Sequence, residues 1–205
     1  MRLSLLTGSA ALALGAIGLG GCVAPTGPIE VTRFHLPDTT MLARGAIAVE
    51  PAPGADGGGI EQRTFQAAVG RELQRLGYRE GAPGTGGQIA EVRMERRTYR
   101  PGRRGSPVSV GVGGSTGSYG SGVGLGLGID LSGPPPEMTE TMLSVMIRDR
   151  ASRNVVWEGR AGFAVRADSP LATTDLSAAE MARALFRDFP GNSGQTVLVK
   201  PAGTR

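Results

Sequence analysis

The chain has 205 residues, 22 of them Lys or Arg and 18 Asp or Glu, for a formal net charge of +4 at neutral pH. That length suits one domain with a substantial core, and so mild a basic balance argues against nucleic acid as a partner. One cysteine and one histidine leave no disulfide and no histidine-pair metal site, and no motif calls for a cofactor.

Met1 and Arg2 open an apolar run from Leu3 to Leu19, which ends in Leu19-Gly20-Gly21-Cys22. Leucine three positions before the cysteine, with glycine directly before it, is a lipobox. The peptidase that cuts such sites works in the bilayer and accepts only small side chains beside the scissile bond. Residues 1–21 are therefore expected to be a lipoprotein signal peptide, and Cys22 the site of acylation. The competing readings are an ordinary secretory signal with a chance cysteine and an uncleaved membrane anchor. Against the second, a signal core is shorter than a spanning helix, and Ser4, Thr7 and Ser9 interrupt this one. Residues 22–28 follow as a Pro/Gly tether to the membrane. Valine rather than aspartate at position 23 favours the outer membrane, with the protein facing the periplasm.

Residues 29–200 carry the pattern of a single α+β domain, with a polar tail at 201–205. Strands are expected from Ile29 to Leu36 and from Gly45 to Glu50, then turn material to Gly59. From Ile60 to Tyr78 a helical stripe of Phe65, Val69, Leu73 and Leu76, with Ala68 beside it, opposes Arg63, Gln66, Arg71, Glu72 and Arg75. Gly77 is placed to cap that helix in the left-handed conformation. Gln88 to Tyr99 is expected to be a strand, although Ile89, Val92 and Met94 slip by one residue.

Residues 105–133 are rich in glycine, yet Val108, Val110 and Val112 alternate, and so do Val123, Leu125, Leu127, Ile129 and Leu131. A period of two predicts two strands, with Gly113 to Ser121 as the loop between them. The glycine spacing matches neither a phosphate-binding loop nor a dinucleotide fingerprint.

Odd positions from Thr139 to Ile147 and from Val155 to Val165 form two further apolar faces, joined by the polar Arg148 to Asn154 as a hairpin. Trp157 anchors the core face. A second helix follows Pro170. Ser177 and Glu180 have capping-box spacing, Leu176 is placed to staple to Met181, and Met181, Leu185, Phe186 and Phe189 form its buried stripe up to Pro190. Thr196 to Val199 is expected to add an edge strand. The fold class is thus a two-layer α+β sandwich, a mostly antiparallel sheet with two helices on one face.

Three motifs together carry a resemblance: the helix end Leu73-Gln74-Arg75-Leu76-Gly77-Tyr78, the hairpin Asp149…Val155-Val156-Trp157-x-Gly159, and the final Phe189-Pro190. The chain resembles the bacterial lipoproteins carrying the domain of unknown function 4136, from about Val31 to Val199. It departs from them at the start, where Phe34 alone stands for an aromatic-rich first strand. The resemblance implies an α+β sandwich at the cell envelope and supplies no catalytic residues.

Catalytic ingredients are sparse. His35 is the sole histidine, Ser106, Ser109, Ser115 and Ser118 lie in glycine-rich sequence, and Asp130, Glu137 and Glu140 read as surface acids. The candidate site is a cationic cluster of Arg93, Arg96, Arg97, Arg100, Arg103 and Arg104, interleaved with Tyr99. Guanidinium groups at that density suit lipid phosphates or an anionic polysaccharide; the plainer reading is a basic strand end partly neutralised by Glu91 and Glu95. A membrane-anchored, non-catalytic binding or assembly module with an unidentified protein partner is the leading expectation. A hydrolase of envelope polymers is the alternative.

Overall fold

The computed structural model describes residues 27–102, 108–117, 120–129 and 135–202, with the two glycine-rich stretches described by backbone. The signal peptide, Cys22, Arg103, Arg104 and Asp130 lie outside the described residues.

Alternation and turn chemistry produce nine strands and two helices among the described residues. In chain order they are β1 (Ile29–His35), β2 (Ala46–Pro51), α1 (Ile60–Arg75), β3 (Arg79–Gly81), β4 (Gln88–Tyr99), β5 (Val108–Gly117), β6 (Gly120–Ile129), β7 (Met138–Asp149), β8 (Val155–Arg166), α2 (Thr174–Phe186) and β9 (Thr196–Val199). Seven strands form one sheet in the order β3-β2-β4-β7-β8-β1-β9, while β5 and β6 pair as a separate ribbon. The β4–β7–β8–β1–β9 run is antiparallel throughout; β2 pairs in parallel with both β3 and β4. Those parallel pairings need a crossover, and α1 supplies it, lying on the sheet beside α2. The architecture is the α+β sandwich expected, with both helices on one face.

The core lies between that face and the helices. From α1 it takes Phe65, Ala68, Val69 and Leu73, and from α2 Ala178, Met181, Leu185 and Phe186. The sheet contributes alternate residues, among them Ile29, Val31, Ala90, Val92, Leu143, Val145, Ile147 and Trp157. The slip in β4 now has a cause. Its core face is the even series, in which Gln88 sits at a buried position, accepting from the Tyr78 hydroxyl at 3.2 Å and donating to the Met41 carbonyl at 2.8 Å. Ile89 is on the other face. Gln62, buried on α1, donates to the Val92 carbonyl and accepts from the Met94 amide, so it continues the hydrogen bonding of β4 just where β2 ends.

Trp157 is fully enclosed. Its indole stacks on Phe186 with ring centroids 5.3 Å apart, meets Phe189 at 5.2 Å, and donates through Nε1 to the Pro190 carbonyl at 3.0 Å. The ring folds back over its own strand onto Gly159. A Cβ at Gly159 would collide with Trp157 Cη2 and come within 2.8 Å of Leu185 Cδ1. The Trp-x-Gly pattern is therefore one packing unit: the glycine vacates the volume that the indole fills.

Several local expectations need correcting. Helix α1 ends at Arg75 rather than running on to Tyr78, while Gly77 follows the cap residue Leu76 at φ +105 as expected, and the Tyr78 amide turns back to the Leu73 carbonyl. The three-residue strand β3 has too little sequence to show a period. Helix α2 begins at Thr174, after a 3-10 turn at Pro170–Ala172, so Ser177 lies inside its first turn and makes no capping box with Glu180. Leu176 is exposed and staples nothing. The helix ends at Phe186; Phe189 packs on Trp157 from the segment beyond it. The β5–β6 ribbon pairs continuously from Val108↔Ile129 to Gly117↔Gly120, which absorbs into strands most of the loop expected at 113–121.

Replacing Trp157 with Ala should cost about 3–5 kcal/mol of unfolding free energy. The subtler Gly159→Ala should still cost about 1–3 kcal/mol through overpacking. Chemical denaturation followed by far-UV circular dichroism checks both; a neutral Gly159→Ala would mean the indole does not lie over that backbone.

Candidate binding face

Among the described residues the helices cover one face of the sheet and leave the other open. On that open face the register sets side chains in rows across the strands. Glu91, Met146, Glu158 and Phe34 share one row; Arg93, Ser144, Arg160 and Thr32 the next; Glu95, Met142, Gly162 and Glu30 the third; Arg97, Glu140 and Ala164 the fourth. Acidic and basic rows alternate, so the field of each is cancelled close to the surface. Ion pairs knit them: Arg148 to Glu91 at 2.9 Å, Arg160 to Glu158 at 2.6 Å and Arg97 to Glu140 at 2.5 Å. Met142 and Met146 run along the middle. Met142 sits over Gly162, where a Cβ would come within 2.6 Å of its sulfur. Two shallow hollows flank the methionines. One, of about 420 Å³, reaches from Gly27 and Pro28 to Glu140 and Gly162. The other, of about 360 Å³, lies over Arg93, Ser144, Met146 and Arg160.

The pleat divides the arginine cluster. Arg96 points to the helix side, where it donates to Glu61 at 2.8 Å, Thr174 at 3.0 Å, Ser177 at 2.7 Å and Thr141 at 3.3 Å. It ties the first turns of α1 and α2 to β4 and β7. Arg93 is on the open face and donates to the Pro53 carbonyl. Arg97, 73% exposed, pairs with Glu140 and stands 5.5 Å from the Tyr99 ring centroid; Arg100, 71% exposed, approaches Glu137 at 4.0 Å. The described members therefore do not form one patch. Arg97 and Arg100 share the sheet end, Arg93 lies farther in, and Arg96 serves the fold. Their acidic neighbours also differ from those expected. Glu91 pairs with Arg148, while Glu61, Glu140 and Glu137 meet Arg96, Arg97 and Arg100.

One structural cation escaped the sequence reading. Arg33 occupies a core position in β1, continuing the Ile29-Val31 alternation, and donates from Nε to the Leu185 carbonyl at 2.8 Å and from Nη2 to the Ala184 carbonyl at 2.9 Å. It thereby satisfies the free carbonyls at the end of α2. Burial pushes its pKa down, while the nearby Asp188 opposes that shift. The only advance signal was a charge standing in an apolar series. His35 is likewise committed: its Nδ1 lies 2.7 Å from the Leu36 carbonyl and its Nε2 3.1 Å from that of Gly191. Ser193 bonds the His35 backbone rather than the ring. Among the described residues no group of three or more His, Cys, Asp or Glu is arranged to hold a metal. At the far end of the sheet Glu50 is held below the usual carboxylate range by the Gly84 amide, with burial opposing and Arg150 assisting.

A seven-stranded, mostly antiparallel sheet with two helices on one face defines a small α+β sandwich domain. The family model for the domain of unknown function DUF4136 matches residues 47–191, and the chain belongs to that family. The match begins at β2, after the first strand. An uncharacterised protein of Zymomonas mobilis is 28% identical over 217 residues, covering 85% of this chain and 81% of that one. Among solved structures, a PDZ domain protein from Parabacteroides distasonis aligns with a TM-score of 0.48 at 11% identity, over 84% of this chain and 39% of its own. The PelC dodecamer from Paraburkholderia phytofirmans aligns with a TM-score of 0.44 at 10% identity, over 77% of this chain and 94% of its own.

The two kinds of arginine should separate cleanly in stability measurements. Arg96→Leu, which strips four hydrogen bonds from the helix–sheet junction, should lose about 2–3 kcal/mol. Arg97→Ala should stay within about 0.5 kcal/mol of the parent. Equal losses in urea titrations of the two variants would contradict the division by face.

Proposed function

We propose that the protein is a non-catalytic binding or assembly module of the bacterial envelope, anchored by acyl chains on Cys22 to the outer membrane and facing the periplasm. The end of the sheet nearest the anchor lies against the bilayer. What supports this is the place where the chain enters the sheet. Glu30, Gly162, Met142 and Glu95 lie in one row, and β1 runs antiparallel to β8. The start of β1 therefore lies at the end where β4 finishes at Tyr99, β7 begins at Met138 and β8 closes at Arg166. Arg97 and Arg100 project from that same end, largely exposed. Cys22 precedes Ile29 by seven positions, which span at most about 25 Å when extended. An anchor at Cys22 thus brings these cations near lipid headgroups, with Arg103 and Arg104 following in sequence.

Anionic lipid or polysaccharide is then the ligand of Arg97, Arg100, Arg103 and Arg104, with Arg96 left to the fold and Arg93 to the open face. That open face, with its balanced rows and central methionines, remains free for a protein partner.

Changing Cys22 to Ala behind an ordinary cleavable secretory signal should move the protein from membrane to soluble fractions, because two or three acyl chains supply the anchoring. That soluble variant should bind anionic vesicles with an affinity that falls steeply as salt rises past about 0.15 M, where screening shortens to about 8 Å. Each arginine near the surface is worth on the order of 1 kcal/mol, so removing all four should abolish binding. A Cys22→Ala protein that is cleaved from its signal and still sediments with membranes would sink the anchor. Salt-insensitive vesicle binding, or a quadruple variant that binds like its parent, would sink the cationic contact.

A further inference from the structure

The β5–β6 ribbon is unlike the rest of the fold. It belongs to the insertion between β4 and β7, which pair with each other right up to Tyr99↔Met138. The ribbon therefore arises from the sheet end that carries the start of β1. Its strands are ten residues each, and a membrane-crossing β-strand needs about 9–11. No charged residue occurs from Gly105 to Ile129. The register sets aliphatic residues opposite one another, Val108↔Ile129, Val110↔Leu127 and Val112↔Leu125, and between them Ser109↔Gly128, Gly111↔Gly126 and Gly113↔Gly124. Residues directly opposite in an antiparallel pair share a face. One face of the ribbon is thus aliphatic up to Gly114↔Val123, with the polar Thr116↔Ser121 at its tip, and the other consists of glycine and serine, the out/in alternation of a strand between lipid and an aqueous lumen. Exposed arginines at the base, Arg97 and Arg100, complement the phosphates that flank hydrocarbon at that depth.

We propose that β5 and β6 from several copies of this chain join edge to edge in the outer membrane as a transmembrane β-barrel, aliphatic face to lipid and glycine face to the lumen. A lone ribbon would leave both outer edges unpaired in hydrocarbon, which the bilayer does not permit. Neighbouring copies supply the missing partners, and closure into the smallest known barrels, of about 8 strands, takes four hairpins. That no helix among the described residues can span a membrane has no bearing on a barrel. The assembly rests on the anchored orientation proposed above, because it needs the ribbon to begin at the membrane.

The test uses the full chain, purified from membranes and reconstituted in vesicles containing anionic lipid. Single cysteines are placed at Val110, Val123, Leu125 and Leu127, and separately at Gly111, Gly124 and Gly126, and labelled with a fluorophore. The parent, whose sole cysteine is Cys22, serves as the labelling control. Quenching by nitroxides in the acyl chains should be strong at the first set and largely lost at the second, and light scattering of the detergent-extracted protein should give oligomers of four or more. Leu125→Arg combined with Leu127→Arg should abolish the quenching and the oligomers while unchanged Trp157 fluorescence reports an intact sandwich. Uniform quenching, none at any position, or alternation in a strictly monomeric protein would overturn the barrel. If the parent sediments with membranes while the ribbon is unquenched, the anchor stands and the barrel falls; if the parent does not sediment, the anchored reading has failed first.

Discussion

The structure hangs on the way one indole closes the gap between sheet and helices. Trp157 turns back over Gly159, stacks on Phe186 and holds the Phe189-Pro190 segment through its Nε1 donor. A side chain of that size buries on the order of 200 Å². Once it is seated, α2 has a fixed register on β8, and the chain leaving α2 is directed back toward β1. Arg33 completes the junction by taking the last carbonyls of α2, and β9 can then pair along β1. The opposite half of the core is set in the same spirit by α1, whose buried Gln62 takes up β4 hydrogen bonding where β2 runs out.

The pleat of β4 explains how a run of like charges acquires unlike roles. Neighbours in sequence point to opposite faces, so Arg96 and Arg97, adjacent in the chain, have no common surroundings. Arg96 is drawn into hydroxyl and carboxylate partners from both helices. Arg97 meets Glu140 on the open side and remains mostly solvated. A charge cluster on a strand is therefore two half-clusters, and its net field depends on which acids the neighbouring strands deliver. Here Glu140 of β7 and Glu158 of β8 join Glu91 and Glu95 of β4 itself and Glu30 of β1 to leave the open face balanced, with its less compensated cations at the sheet end.

Much of the fold was legible because period-two and helical patterns are long in β7, β8 and α1. Alternation from Thr139 to Ile147 and from Val155 to Val165 set both register and inward face, and Phe65, Val69 and Leu73 set the helix stripe. Short elements and polar substitutions within the core were not legible. β3 has no room for a period, Gln88 masks the core face of β4, and Arg33 disguises that of β1. The α2 start failed because a serine three residues before a glutamate can equally well sit within a first turn, bonded to Arg96, as cap it. For the candidate site, sequence gave the arginines but not their division between two faces, which only the partner strands determine. The glycine strands were readable as strands; the length of their ribbon was not, since glycine carries little propensity to mark where pairing ends.

The proposed function and the proposed barrel both require one end of this sheet, where β1 starts and the ribbon emerges, to lie at the membrane. Spin labels at Glu137 and at Ser152, on the full-length protein in vesicles, mark the two ends of β7, a strand of 12 residues that spans about 40 Å. Electron paramagnetic resonance depth measurements compare collisions with a lipid-borne relaxant and an aqueous one. The label at Glu137 should lie close to the headgroups and the label at Ser152 well out in solution. Equal depths, or Ser152 nearer the bilayer, would contradict that arrangement.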